Sequence, residues 1–315
     1  MHRRMMKFID IGANMTDPMY RGLYRGKQAH ADDLALVLKR AREGGVERII
    51  ITGTNLEESK EAIEAIQSSD EARGFLYSTV GCHPTRSSEF EKHKDGPQAY
   101  YDELLNLATS SKSVVAIGEC GLDYDRLHFC DKETQKKYFA VQFDLAEKTQ
   151  LPMFLHNRNT GNDFLELVKA NRHKFKHGVV HSFTGSLEEM QMLVDLDLYI
   201  GVNGCSMKTA ENLEVVKAIP QDKLVIETDA PWCDIRPTHA SYAHLKNVSS
   251  DEMKVYSPPS KKKEKFEMGC MVKSRNEPCT LGLVLHAVAS IRNMDPVELS
   301  EIIWKNTCTV FDTLE

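Results

Sequence analysis

Val114-Val115-Ala116-Ile117-Gly118-Glu119 runs from a short apolar stretch into a carboxylate, and three later stretches repeat the arrangement. Met153-Phe154-Leu155 leads to His156, Gly178-Val179-Val180 to His181, and Leu224-Val225-Ile226-Glu227-Thr228 to Asp229. Short apolar runs of this kind form parallel strands buried on both faces. In a parallel barrel all strands end at one mouth, where the side chains that follow them converge. Glu119, His156, His181 and Asp229 would then share a site made of the oxygen and nitrogen donors that a divalent cation takes. This placement favours a metal-dependent hydrolase.

Outward from these four, apolar runs recur near Phe8, Ile49, Leu76, Val114, Met153, Val179, Tyr199 and Leu224, and most are followed by an amphipathic stretch. That alternation builds a parallel sheet, and about eight strands favour a closed (β/α)8 TIM barrel over an open doubly wound sheet. After Asp32, the residues Leu34, Val37, Leu38 and Ala41 mark one helical face, which Gly44-Gly45 stops. Asn55 with Glu58, and Ser186 with Glu189, carry the spacing of helix caps. Further helices are expected at roughly 133–149, 160–171 and 209–218, with two or more after Thr280. Residues 238–279 break the rhythm with Ser257-Pro258-Pro259-Ser260 and Lys261-Lys262-Lys263-Glu264-Lys265, and read as an irregular insertion after the eighth strand. No composition shift marks a second domain, so residues 1–315 are read as one barrel domain with decorations.

With 41% hydrophobic and 27% charged residues, the chain falls among globular proteins. Its net charge of -6 does not advertise nucleic acid, although cations bound among carboxylates reverse the local sign. Eight cysteines without a CxxC pair argue against a thiolate zinc site and suit reduced intracellular thiols. The start from Met1 to Lys7 is basic but leads into a short strand-like run, so neither a signal peptide nor a membrane-spanning helix is expected. Lys7 and Lys223 precede their strands and so belong at the opposite end from the site, which weighs against Schiff-base and carbamylated-lysine chemistry.

A single buried histidine is more often structural than ligating. Carboxylates that follow buried strands, however, need a cation or hydrogen bonds to offset their burial. The donor types leave Mg2+, Mn2+ and Zn2+ open. Arg158, two residues beyond His156, offers a planar fork suited to phosphate or to a carboxylate at the barrel mouth. Tyr124, Phe183 and Trp232 are candidates for base stacking or for covering the core. The lysines from 261 to 265 suit DNA contact, a nuclear address or a solvated loop.

In order along the chain stand Gly81-Cys82-His83-Pro84, Ile117-Gly118-Glu119-Cys120-Gly121-Leu122-Asp123, Leu155-His156-Asn157-Arg158, His181-Ser182-Phe183-Thr184-Gly185 and Ile226-Glu227-Thr228-Asp229-Ala230-Pro231. The set closely resembles the TatD family of metal-dependent deoxyribonucleases, in particular the eukaryotic TatD-DNase-domain-containing proteins. The resemblance runs from about Phe8 to the C-terminus and includes Arg275-Asn276-Glu277-Pro278. It implies an amidohydrolase-like TIM barrel, Mg2+ as the usual metal, and nuclease activity often expressed as 3′-to-5′ removal of nucleotides. It also implies metal-ligand roles for Glu119, His156, His181 and Asp229.

Many relatives carry an HxH pair at the first strand, where this chain has Asp10-Ile11-Gly12-Ala13-Asn14. Gly12 has no donor and Asn14 offers a neutral oxygen. A second cation is therefore expected to bind weakly, differently or only with substrate, giving one or two ions per chain. Asp10 reads equally as a second-metal or supporting carboxylate and as one held by local hydrogen bonds. The family match favours substrate-phosphate contact for His83, the alternative being packing beside Pro84, and it gives Thr184 either a substrate-side role or a cap.

The expected mechanism is phosphodiester hydrolysis of DNA at single-stranded or frayed 3′ ends. Glu119, His156 and His181 hold a cation, Asp229 orients and deprotonates a water, and His83 and Arg158 position nonbridging oxygens. Glu119 and Asp229 thus head the catalytic set. The alternatives are a small-molecule amidohydrolase or phosphoesterase on the same barrel, and a catalytically silent DNA-binding protein. No membrane association is expected, no protein partner is legible, and the nucleus is favoured over the cytosol.

Overall fold

The computed structural model describes residues 6–314, so residues 1–5 of the basic start lie outside the described residues. All eight apolar runs are strands: β1 Phe8–Ala13, β2 Val46–Ile51, β3 Leu76–Val80, β4 Val114–Asp123, β5 Met153–Arg158, β6 Gly178–Val180, β7 Tyr199–Val202 and β8 Leu224–Ile226. They lie in one sheet in chain order, each neighbouring the next. Pairing is parallel from β3 through β7. A parallel bridge from Ala13 to Ala230 joins the end of β1 to the segment leaving β8, with the Asp229 amide donating to the Gly12 carbonyl at 2.8 Å. Helices follow the strands, as right-handed βα crossovers require, and the fold class is the TIM barrel read from the sequence.

The chain divides into two compact units. One comprises the chain up to Ile49 with Val202–Thr307, and the other Ile50–Gly201 with the chain from Cys308 onward.

In the second unit β4 is the longest strand, and all ten of its residues are buried. The apolar run alone ends before Glu119, yet the strand continues to Asp123. Its pairing with β5 shifts register between Ile117 and Cys120, a bulge centred on Gly118-Glu119. There the Glu119 amide donates to the Gly53 carbonyl at 2.8 Å. Bulges of this sort re-aim a side chain at the rim of a sheet. Gly118 has φ +140°, and a Cβ there would press into the Phe154 carbonyl, so the bend in β4 requires glycine. The caps fall as the spacing predicts. Asn55 accepts from the Glu58 amide at 2.8 Å to start Leu56–Gln67, and Ser186 accepts from Glu189 at 3.1 Å to start Leu187–Asp195.

In the first unit the helix Leu34–Glu43 ends at Gly44 as expected. Leu281–Arg292 is buried on nearly every side, the pattern of a helix within a core. The stretch 238–279 contains the short helix Ser250–Tyr256, capped by Ser249 with Glu252, and a parallel pairing of Ser260-Lys261 with Met271-Val272. Among the described residues no helix is long and apolar enough to cross a membrane.

Candidate metal centre

Within the second unit, β4, β5 and β6 bring three of the expected ligands together. Glu119 Oε1 lies 2.7 Å from His156 Nδ1 and 2.8 Å from His181 Nε2, and the two nitrogens are 3.2 Å apart. All three residues are buried. Two imidazole nitrogens and a carboxylate oxygen facing one point suit a shared cation. Ligand atoms each about 2.1 Å from one ion stand about 3 Å from one another. The residues present therefore fit a divalent metal.

Burial opposes ionisation of Glu119, but the histidines gathered on it outweigh burial and hold its carboxyl well below the usual carboxylate range. It is an anion at neutral pH, the form that ligates.

His83, three residues past β3, joins the same cluster, its Nε2 3.4 Å from Glu119 Oε1. With Glu119 and His156 it makes a group compact enough to hold an ion. Its Nδ1 accepts from the Thr85 amide at 3.1 Å and lies 2.7 Å from the Thr85 hydroxyl. An Nδ1 that accepts leaves the proton on Nε2, directed toward Glu119. Burial, only partly countered by Glu119, lowers the His83 pKa to about 3, so the ring stays neutral. This tautomer makes His83 a hydrogen-bond donor at the site.

Asp123, which ends β4, is fully buried, and its Oδ2 lies 3.4 Å from both His156 Nε2 and Arg158 Nη1. A carboxylate behind a ligand histidine fixes its ring and tautomer. Burial works against the Asp123 anion, but His156 and Arg158 hold its pKa below the ordinary value. Arg158 is half-buried, so its fork has both the carboxylate contact and a side open to solvent. Asp123 stands within one of the family motifs, but the sequence assigns it no role. Its place at the end of the strand that carries Glu119 was the available signal.

The helix Lys132–Thr149 holds the backbone at two of these positions. Gln135 accepts from the Asp123 amide at 2.8 Å and donates to the Asp123 carbonyl at 3.1 Å, and Gln142 does the same for Cys82 at 2.7 and 3.0 Å. Two glutamines seven residues apart share a helix face, so one element braces the strand ends that carry His83 and Asp123. Thr184 is exposed in its loop, and the cap considered for it is provided by Ser186. Of the aromatic candidates, Phe183 is buried, Tyr124 donates to Asp163 Oδ2 at 2.6 Å, and Trp232 is 52% exposed.

In the first unit, Asp229 stands three residues past β8 with φ +49°, a left-handed conformation uncommon outside glycine. Its Oδ1 accepts from Asn14 Nδ2 at 3.0 Å and its Oδ2 from the Cys233 thiol at 3.3 Å. Asn14 thus orients Asp229. Asp10 is fully buried, and Thr228 donates to it through its amide at 2.9 Å and its hydroxyl at 2.5 Å. Burial raises the Asp10 pKa to about 7 against those bonds.

The family described as TatD related DNase matches residues 9–312. The Schizosaccharomyces pombe protein named deoxyribonuclease Tat-D is 46% identical over 308 residues, covering 96% of this chain and 95% of that one. An Erwinia tasmaniensis protein named 3′-5′ ssDNA/RNA exonuclease TatD is 35% identical, with 92% and 94% covered. The crystal structure of a TatD family hydrolase from Entamoeba histolytica superposes with a TM-score of 0.88 at 38% identity, covering 98% of this chain and 99% of that one.

Proposed function

The chain belongs to the TatD related DNase family, and from that premise we propose that it is a divalent-metal exonuclease removing nucleotides from the 3′ ends of single-stranded or frayed DNA. The coarser statement, a hydrolase of the TatD deoxyribonuclease class acting on nucleic acid, follows from membership itself. The observation that carries the proposal is the convergence of His156 and His181 on one oxygen of Glu119 in a buried pocket of charge. The direction and strand preference draw on the relative named as a 3′-5′ ssDNA/RNA exonuclease.

Glu119, His156 and His181 would hold the metal; imidazole and carboxylate donors suit Mg2+, Mn2+ or Zn2+, and Mg2+ is the ion that the family resemblance implies. Asp229 is proposed as the fourth ligand on its position after β8, and as the base that takes the proton of the attacking water. When bound, the cation supplies Lewis acidity at phosphorus and lowers the pKa of water. Asn14 and Cys233 donate to the two oxygens of Asp229 and so fix the direction of its carboxylate. His83 donates its Nε2 proton to a nonbridging phosphate oxygen, a role its neutral state preserves across the working pH range. Arg158 lends its remaining donors to a second oxygen. Thr184, exposed in the loop after His181, is kept as a substrate-side contact. Asp10, held by the Thr228 amide and hydroxyl, fixes the segment that leads to Asp229.

The test compares wild type with Glu119→Ala, purified side by side, on 3′-labelled single-stranded and recessed duplex DNA with Mg2+, Mn2+ or EDTA. Stepwise shortening by wild type alone, abolished by EDTA and reduced more than about 100-fold in the variant, is the expected result. Equal cleavage by both proteins would assign the activity to a contaminant. No cleavage by either would favour a small phosphoester or amide as substrate.

A further inference from the structure

Close to Asp229 along the chain, the first unit carries a groove of about 1070 Å3 that the mechanism does not use. Arg25, Lys262, Lys263 and Lys273 line it together with Tyr24 and Trp232. We propose that this groove binds the 5′-ward flank of a single-stranded nucleic acid whose 3′ end lies at the hydrolytic site. This deepens, and rests on, the nuclease reading above.

Three observations carry it. First, among the described residues none of these four cations forms an ion pair, although the chain as a whole has a net charge of -6. The carboxylates at the groove are Asp17, whose Oδ1 accepts from the Met19 amide, and Glu264, so positive charge prevails there. The remaining cation, Arg275, is buried and bound to Asp33 and Glu277. Uncompensated like charges gathered in one groove repel one another, and an extended polyanion relieves that repulsion.

Second, the groove is lined by two flat rings as well as by these cations. Trp232 is 52% exposed, and Lys263 Nζ sits 4.6 Å from the centre of the Tyr24 ring. An exposed ring beside unpaired cations suits a single strand, whose bases offer faces to stack while its phosphates take the charge. A base-paired duplex keeps those faces inside its stack, and a phosphopeptide has no such series of rings to offer.

Third, the groove is tied to the proposed base. The Trp232 amide donates to the Asp229 carbonyl at 2.9 Å, so a residue lining the groove stands in one turn with that base, three residues on. Lining residues also come from the stretch 260–273, where the pairing of Ser260-Lys261 with Met271-Val272 sets Lys262 and Lys273 just beyond the paired residues. The basic run, which by sequence alone reads more readily as a solvated loop than as a DNA contact, thereby acquires a defined position.

The test uses the full chain in EDTA, so that binding is read without turnover. The protein has two tryptophans, and stacking on Trp232 predicts fluorescence quenching on titration with a 12-nucleotide oligothymidylate, absent in Trp232→Phe. Combining Lys262→Ala, Lys263→Ala and Lys273→Ala should weaken binding more than about tenfold and reduce the slope of log affinity against log salt by about 2. With Mg2+ present, the triple variant should lose kcat/KM on the oligonucleotide while turning over thymidine 5′-p-nitrophenyl phosphate at the wild-type rate.

Unchanged affinity and salt slope in the triple variant would overturn the proposal. Equal losses on both substrates would also overturn it, because side chains that hold only the flank of a strand do not touch a small diester. If wild type hydrolyses neither substrate, the nuclease reading fails, and the EDTA titration still decides whether the groove binds a strand.

Discussion

Asp10 and His83 show how burial sets the proton inventory around the centre. For Asp10, desolvation outweighs the bonds from Thr228 and raises the pKa to about 7. An acid whose pKa is raised on folding takes up a proton as the chain folds. Its contribution to stability is therefore complete below the unfolded value near 4 and is lost as pH rises toward 7. Unfolding of the metal-free protein should thus cost less at pH 8 than at pH 5, by up to a few kcal/mol from this group. Asp10→Asn keeps an acceptor for the Thr228 amide without the ionisation, so it should flatten that part of the profile in urea titrations at each pH. A variant with the wild-type slope would show that Asp10 titrates normally. His83 illustrates the opposite result of burial, a base kept neutral so that it donates from Nε2.

At the scale of elements, the site depends on a helix that contributes none of its ligands. Lys132–Thr149 carries Gln135 and Gln142, both fully buried, and each pairs with an amide and a carbonyl of a strand end. Gln142→Leu preserves bulk but leaves the Cys82 amide and carbonyl without these partners. Orphaned buried groups cost about 1–3 kcal/mol each. A loss of roughly 2–4 kcal/mol is expected in chemical denaturation, with a fall in kcat from the misplaced His83 next to Cys82. A variant that keeps both stability and kcat would mean that water replaces the amide without consequence. These elements also show what was legible beforehand. The eight strands and the Asn55 and Ser186 caps were readable because apolar runs and cap spacings are local signals. The bulge that aims Glu119 was not, because it arises from pairing between β4 and β5.

At the scale of the whole molecule, the segment Arg275-Asn276-Glu277-Pro278 proves to be architectural. Arg275 donates to both oxygens of Asp33 at 2.6 Å and to Glu277 at 2.9 Å, while Arg40 donates to Glu277 at 2.7 and 3.0 Å. The network is buried and neutral overall, with two guanidinium groups against two carboxylates. It joins the helix Leu34–Glu43 to a segment 242 residues away in sequence from Asp33. Arg275→Ala would leave two buried carboxylates facing Arg40 alone, at a cost of about 3–5 kcal/mol. Arg275→Lys should not restore stability, since an ammonium lacks the fork that engages Asp33 and Glu277 together. Urea midpoints of both variants within about 1 kcal/mol of wild type would sink this assignment.

By itself the sequence determined the barrel's strands and singled out candidate metal ligands, because a strand buried on both faces must be apolar along its length and polar only at its end. Glu119, His156 and His181 were legible for that reason, and the structure brings them within 3.2 Å of one another. Only the tertiary structure decided the partners: in the second unit Asp123 behind His156, the glutamine braces and the tautomer of His83, and in the first unit Thr228 on Asp10 and the groove at Trp232. These contacts join residues from 2 to 218 positions apart. A linear pattern records which groups need partners, whereas the partners themselves are fixed by the distances that folding creates.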